Sequence, residues 1–314
     1  MTNRVATGDG TRDWVGHWRF LMGARTGSSA LYAAGVTAIL AAALAGCATN
    51  NSGTAATKAS TTASPLSAVR LASKTTSGAN SFTGTISLQA TAKSGSASGQ
   101  NVSMTATMAE QLHPSLLAQV QIGSLSAAGS TLPGGLDEIV TPSALYMKWS
   151  YLTQMLHLTK PWLGIPLSSL SKGTGIDLSQ LFGQATSSSP LNESQMLAGA
   201  TGVRKVGTGT IDGVAVTEYT GTLNLQKGLQ QLHGSVKSQV QKEITAAGLT
   251  TATFTMWIDA NHTMRKAIIN ENGANLTEKI TVTVDTLNQP VNIHVPTASQ
   301  TTPLPSSALS GLSS

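Results

Sequence analysis

Cys47 is the residue whose chemistry stands out, because it is the only cysteine among the 314 residues. It ends the stretch Leu44-Ala45-Gly46-Cys47 and follows residues 30–46, an uncharged run rich in Ala and Gly. This run is shorter than the roughly 20 apolar residues that a transmembrane helix needs. A basic flank at Arg25, a short apolar core and small residues before a cleavage point are typical of an export signal. A cysteine thiolate at such a point is well suited to alkylation.

The four residues that end at Cys47 resemble the bacterial lipobox, in which a diacylglycerol is attached to the cysteine thiol and the signal is cut just before it. The resemblance implies that residues 1–46 are a lipoprotein signal peptide and that Cys47 carries diacylglycerol and palmitate-type acyl chains. Two or three such chains make release from a bilayer negligible, whereas one holds a protein only marginally. We therefore expect an anchor on the outer face of the cell membrane. A plain secretory leader is the alternative, and translation could start at Met1 or Met22.

No other residues form a catalytic or metal-binding motif. The histidines lack cysteine partners and the spacing of metal ligands. They are His17, His113, His157, His233, His262 and His294. The glycines of residues 207–213 lead into a predicted strand rather than a helix, which argues against a dinucleotide-binding loop. The sequence contains neither a P-loop nor a G-x-S-x-G elbow, so we expect no enzyme activity, no metal and no cofactor.

The charge pattern argues against a nucleic-acid partner. The chain has 19 Lys and Arg against 14 Asp and Glu, and only 11% of its residues are charged. No cluster of basic residues supplies the electrostatic footprint that nucleic-acid binding requires.

Period-two alternation predicts an antiparallel sheet. Apolar side chains alternate with Thr, Ser and Gln at residues 82–90, 102–108 and 116–122, and a hairpin follows between residues 138 and 149. Further strands are predicted at residues 204–209, 214–223, 251–259, 264–270 and 276–287. Residues 151–200 instead contain Pro161, Pro166 and Pro190 and short helical pieces, which predicts an irregular insert.

Two helices are predicted beside the sheet. Ser64 caps the first, and Pro65 takes its first position. The second runs over residues 226–247 and ends at Gly248. Its apolar stripe, spaced by three and four residues, consists of Leu229, Leu232, Val236, Val240 and Ile244. Strands and helices together indicate an α+β fold.

Composition divides the chain into four parts. Residues 1–46 are the predicted signal peptide, and residues 47–64 form a Ser/Thr/Ala-rich tether that is predicted to be flexible. Residues 65–295 form one folded domain. Residues 296–314 are rich in Ser, Thr and Pro, which predicts a disordered tail.

Three stretches of the domain resemble the actinobacterial LppX/LprG lipoprotein family, whose fold is similar to that of the LolA/LolB lipoprotein carriers. They are Lys160-Pro161-Trp162, residues 211–214 running to residues 220–223, and Met256-Trp257-Ile258-Asp259 leading to Arg265-Lys266. The resemblance implies a half-barrel, which is a strongly curved antiparallel sheet wrapped around a few helices. It also implies an apolar cavity between these layers that can hold acyl chains.

Small inward residues, Gly84, Ala106 and Ala118, support a cavity because they leave volume between sheet and helix. The residues expected to line it are Met104, Met108, Trp162, Leu229, Leu232, Val236, Val240 and Ile244. Packed core is the usual role of a helical apolar stripe and is the alternative here. The sequence leaves these alternatives open, since one stripe can be core at one end and cavity wall at the other.

The function predicted from these features is that of a membrane-anchored extracytoplasmic lipoprotein that binds a lipid or glycolipid-type amphiphile, as a carrier, chaperone or sensor. The alternative is a non-catalytic interaction module of the cell envelope, with a packed interior and a membrane protein as its partner. A hydrolase is a third class, but no serine or histidine stands out as its catalytic residue.

Overall fold

The structure, a computed structural model, describes residues 64–132, 135–167, 200–230, 237, 241 and 244–304. Its helices are α1 (Pro65–Ser77), α2 (Ser150–Met155) and α3 (Leu225–Leu229), and a 3-10 turn covers Gly95–Ala97. The strands up to residue 148 are β1 (Ser81–Ala92), β2 (Asn101–Gln111), β3 (Leu117–Ala127), β4 (Ser130–Leu132), β5 (Leu136–Val140) and β6 (Ala144–Lys148). The others are β7 (Trp162–Pro166), β8 (Ala200–Ile211), β9 (Val214–Asn224), β10 (Thr251–Asp259), β11 (Met264–Asn272), β12 (Leu276–Leu287) and β13 (Thr301–Pro303).

The thirteen strands that the structure describes belong to one curved sheet. The strand order is β13-β7-β6-β5-β3-β2-β1-β12-β11-β10-β9-β8, with β4 paired to β3. Each pairing between these described strands is antiparallel except that of β13 with β7. Since β13 and β8 stand at opposite ends of this order, the sheet is open rather than a closed barrel. The predicted α+β class with a curved antiparallel sheet is confirmed.

The two faces of the sheet differ because successive side chains of a strand point to opposite sides. On β2, Met104 and Met108 are buried, whereas Thr105 and Thr107 are exposed. We name the side of Met104 and Met108 the apolar face and the side of Thr105 and Thr107 the polar face. The apolar face of β1, β2, β3 and the start of β12 forms the main core cluster, whose buried members include Ile86, Leu88, Val102, Ala106, Val120 and Ile122.

Helix α1 forms as its cap predicts. The Ser64 hydroxyl accepts a hydrogen bond from the Ser67 amide at 3.2 Å, and Pro65 takes the first helical position, which needs no amide donor. Val69 and Ala72 of this helix are fully buried against Phe254 and other residues of the second core cluster. Helix α1 therefore covers the part of the sheet built from β8, β10 and β11.

Among the described residues of the predicted irregular insert, residues 162–166 form a strand, so that prediction is wrong at β7. This strand comprises Trp162–Pro166 and pairs with β6 and β13. Flanking prolines at 161 and 166 obscured it, because proline normally marks a loop or a sheet edge. Residues 168–199 of the predicted insert lie outside the described residues.

The start of the predicted C-terminal tail is also ordered, since Thr301–Pro303 forms β13. The Lys160 ammonium donates hydrogen bonds to the carbonyl oxygens of Ala298 (2.8 Å) and Thr301 (3.1 Å). Leu304 is buried with Leu163 in a cluster on β7. The prediction of disorder is therefore wrong for residues 301–303, because backbone pairing needs no apolar periodicity. Residues 305–314 lie outside the described residues.

Candidate functional site

Met104 and Met108, two of the predicted lining residues, lie together on the apolar face. Both belong to the main core cluster, with 4% and 7% of their surfaces exposed. Ala106 lies between them on the same strand and belongs to the same cluster. Unbranched methionines adapt to irregular apolar surfaces. This part of the apolar face is the candidate functional site.

Leu229 and Ile244, the two ends of the predicted helical stripe, meet in a neighbouring cluster with Leu225, Leu249 and Ala252. Helix α3 ends at Leu229, so the prediction of one unbroken helix from residue 226 is wrong there, and Gly228 in its last turn weakens the helix. Residues 244–247 are helical again, and Gly248 ends them with a φ of 65°, as predicted. The remaining members of the stripe, Leu232, Val236 and Val240, lie outside the described residues.

Trp162 lies apart from the predicted methionines. Its neighbour Leu163 pairs with Met147 on the apolar face, so Trp162 points to the polar face. There the Lys148 ammonium lies 5.7 Å from the centroid of the indole ring, within cation–π range. The structure therefore does not bring Trp162 together with Met104 and Met108.

Glu138 is the residue of this site that sequence reasoning missed. In the register of the sheet, Met108 lies opposite Val120, Val120 opposite Glu138, and Glu138 opposite Met147. Directly opposite residues of paired strands share a face, so the Glu138 carboxyl lies on the apolar face. It stands between the main core cluster and the cluster of Leu163.

Burial among these neighbours raises the pKa of the half-buried Glu138 from 4.5 to about 7. Removal of water from around a carboxylate disfavours its charged form, which is the cause of this rise. A signal was available in the sequence: Asp137 directly precedes the predicted strand that begins at Glu138, and two consecutive acidic residues in one strand must point to opposite faces. One of the two had to face the apolar side.

Other acidic side chains also lie on the apolar face. Glu110 on β2 is buried, with 1% of its surface exposed. Glu271 on β11 and Glu278 on β12 are directly opposite each other, and Glu278 is also opposite Ala90 of the main core cluster. Acidic residues thus lie on the apolar face of β2, β5, β11 and β12.

The stretches that resemble the LppX/LprG family have structural roles here. Asp259 is buried and binds Arg265, with Oδ2 at 2.8 Å from Nη2. Its other oxygen accepts hydrogen bonds from the amides of Asn261 and Thr263, both at 2.9 Å. These contacts close the turn between β10 and β11. They position these two strands relative to each other.

Two depressions among the described residues lie on the polar face. The larger has a volume of about 410 Å³ and includes Gly123, Asp137 and Lys148, and the smaller, of about 180 Å³, includes Thr107, Gln121 and Asp285 and reaches Gly84. Both lie where the register of neighbouring strands shifts. Bulges with glycine leave such gaps because no side chain fills them.

No group of three or more His, Cys, Asp or Glu residues in the described ranges could hold a metal ion. Within those same ranges, no helix has both the length and the apolar character needed to cross a membrane.

Comparisons with known proteins gave matches among solved structures. No family model and no curated protein matches the chain. The lipoprotein LppX of Mycobacterium tuberculosis is 20% identical, with a TM-score of 0.41, and the match covers 73% of this chain and 98% of LppX. LprF of Mycobacterium bovis is 13% identical, with a TM-score of 0.42, covering 74% of this chain and 96% of LprF.

A LolA superfamily protein from Nitrosomonas europaea is 9% identical, with a TM-score of 0.26, and the match covers 74% of this chain and 96% of that protein. The solved structures that this chain resembles thus include LppX, a member of the family that its sequence motifs resemble.

Proposed function

We propose that this chain is an exported, lipid-anchored protein without catalytic activity, whose apolar sheet face binds the acyl chains of a lipid, glycolipid or similar amphiphile. The observation that carries the proposal is the breadth of the apolar face around Met104 and Met108. Helices α1 and α3 make their main contacts with β8 to β11. Of the helical residues 244–247, Ala247 packs against the main core cluster of β1, β2 and β3.

The energetics suit a carrier or sensor. Affinity would come from apolar surface removed from water, at roughly 25 cal/mol per Å². Phe82, Leu125, Leu136, Ile280 and Val282 stay partly exposed around the main core cluster and extend its apolar surface. No bond needs to be made or broken for this role. We further propose that the protein acts on the outer face of the cell membrane, where a lipidated chain could receive or pass on its ligand locally.

Native mass spectrometry tests the proposed function. The chain from residue 48 onward, secreted by a bacterial host and purified without detergent, is expected to carry a bound lipid that organic solvent extracts. Repeated preparations without lipid, which also fail to take up an added fluorescent fatty acid, would contradict the proposal. That result would favour the protein-interaction module instead.

The anchor gives a separate prediction. Cys47→Ser removes the thiol to which the diacylglycerol would be attached, so the variant is expected to remain uncleaved or to leave the membrane. Partitioning into a Triton X-114 detergent phase, combined with the intact mass, measures both outcomes. Ser60→Ala, in the predicted tether, is the control and should partition like the unchanged protein. Equal partitioning of the Cys47→Ser variant and the control, with unchanged mass, would show that Cys47 is not lipidated.

A further inference from the structure

We propose that Glu138 is the polar contact of the acyl-chain site and that it selects amphiphiles whose first polar group is uncharged, such as a hydroxyl, ester or amide, over those with a phosphate. This inference rests on the proposed function. It names the ligand class that the same site would take.

The position of Glu138 is the first argument. Its carboxyl stands in the cross-strand row of Met108, Val120 and Met147, which is otherwise apolar. A carboxyl group without water or a polar partner is costly in such surroundings. An amphiphile whose chains lie along this row would bring a hydroxyl or carbonyl group to the carboxyl and supply that partner.

The charges around the site are the second argument. The strands beside β5 place Ala118, Val120 and Ile122 of β3, and Leu145 and Met147 of β6, on the apolar face. None of these titrates. The lysine next to Met147, Lys148, is opposite Asp137 on the polar face. A phosphate at this site would therefore meet the Glu138 carboxyl, with no positive side chain among these apolar-face neighbours, and like charges in an apolar environment repel strongly.

The protonation of Glu138 agrees with this geometry. A carboxyl with a pKa of about 7 is partly protonated at neutral pH. Its protonated form is a hydrogen-bond donor as well as an acceptor, whereas the ionised form only accepts. It can therefore bind either a hydroxyl or a carbonyl oxygen.

Photo-crosslinking with two matched probes tests the selection. The full-length protein in phosphatidylcholine vesicles is exposed to a diazirine-bearing monoacylglycerol or to the lysophosphatidate with the same chain, and intact mass measures labelling. The unchanged protein is expected to prefer the monoacylglycerol about tenfold, the factor expected from one hydrogen bond gained and one repulsion avoided. Glu138→Leu should bring this ratio close to one. Glu218→Leu is the control, because Glu218 is a half-buried glutamate on the polar face, opposite Trp257. This variant should keep the preference for monoacylglycerol.

Glu138→Gln covers the case in which the leucine variant does not fold. The amide keeps a donor and an acceptor but cannot ionise, so labelling by the monoacylglycerol, a probe that does not itself titrate, should persist and no longer vary between pH 5.5 and pH 8.5. In the unchanged protein, monoacylglycerol labelling should fall over this range. A Glu138→Leu ratio equal to that of the unchanged protein, or equal pH profiles for the glutamine variant and the unchanged protein, would overturn the selection by Glu138. If neither probe labels the unchanged protein or any of the variants, the proposed function is overturned, and this inference with it.

Discussion

Glu138→Gln is expected to raise the free energy of unfolding by about 2–3 kcal/mol at pH 8 and to leave it nearly unchanged at pH 4. The pKa of Glu138 lies at about 7 in the folded protein against 4.5 for an ordinary glutamate. The folded state therefore holds its proton more tightly than the unfolded state. Between these two values the unchanged protein loses stability as pH rises, and above about pH 7 the loss is complete. Glutamine has no proton to lose and avoids this penalty.

Urea unfolding at pH 4, 6 and 8 measures this effect as the difference between the two proteins. The difference should be near zero at pH 4, intermediate at pH 6 and largest at pH 8. Glu218→Gln, on the polar face, should give a small difference that does not follow this course. Parallel stability curves for the Glu138→Gln variant and the unchanged protein would mean that the carboxyl is solvated.

Gly84→Ala should destabilise the protein by about 3 kcal/mol, toward the upper end of the overpacking range. The β1–β12 register shifts between Thr83 and Gly84, and a methyl group at position 84 would overlap the carbonyl oxygen of Thr283. Because this oxygen belongs to the backbone, relief requires that β12 itself move. The expected fall in melting temperature, followed by circular dichroism, is roughly 6–12 °C for a domain of this size.

Gly209→Ala is the matched control for that substitution. Gly209 also lies in a strand, opposite Val216, but a methyl group there would meet no atom within 4 Å. It should change stability by no more than about 0.5 kcal/mol. Similar melting temperatures for the two alanine variants would show that the bulge at Gly84 can absorb a side chain.

The strands that sequence reasoning found are those whose environment differs between their two faces. Residues 102–108 and 251–259 alternate clearly, and β2 and β10 cover them. The turn at Asp212-Gly213 is confirmed as well, with φ values of 49° and 78°. Strands β7 and β13 were missed because both are short and end in proline, and neither shows a clear apolar alternation. Their pairing depends on contacts between distant parts of the chain, such as that of Lys160 with Thr301.

The site could be predicted in part for the same reason. Met104, Met108, Leu229 and Ile244 follow regular spacings, and the structure buries all four. The face on which Trp162 lies could not be predicted, because Trp162 belongs to β7, a strand that was not predicted. The inward position of Glu138 depends on the register between β3 and β5, since one residue of slip would exchange it with Asp137.

The parallel pairing of β13 with β7 affects the order in which the fold can be completed. During synthesis β7 leaves the ribosome long before residues 301–303, and until they arrive its outer hydrogen-bonding groups are exposed beside the apolar side chains of Leu163 and Ile165. Open strand edges of this kind invite association with other chains. Residues 301–303 therefore cover the outer edge of β7. A polypeptide that ended before Thr301 would leave this edge unpaired, and we expect it to self-associate.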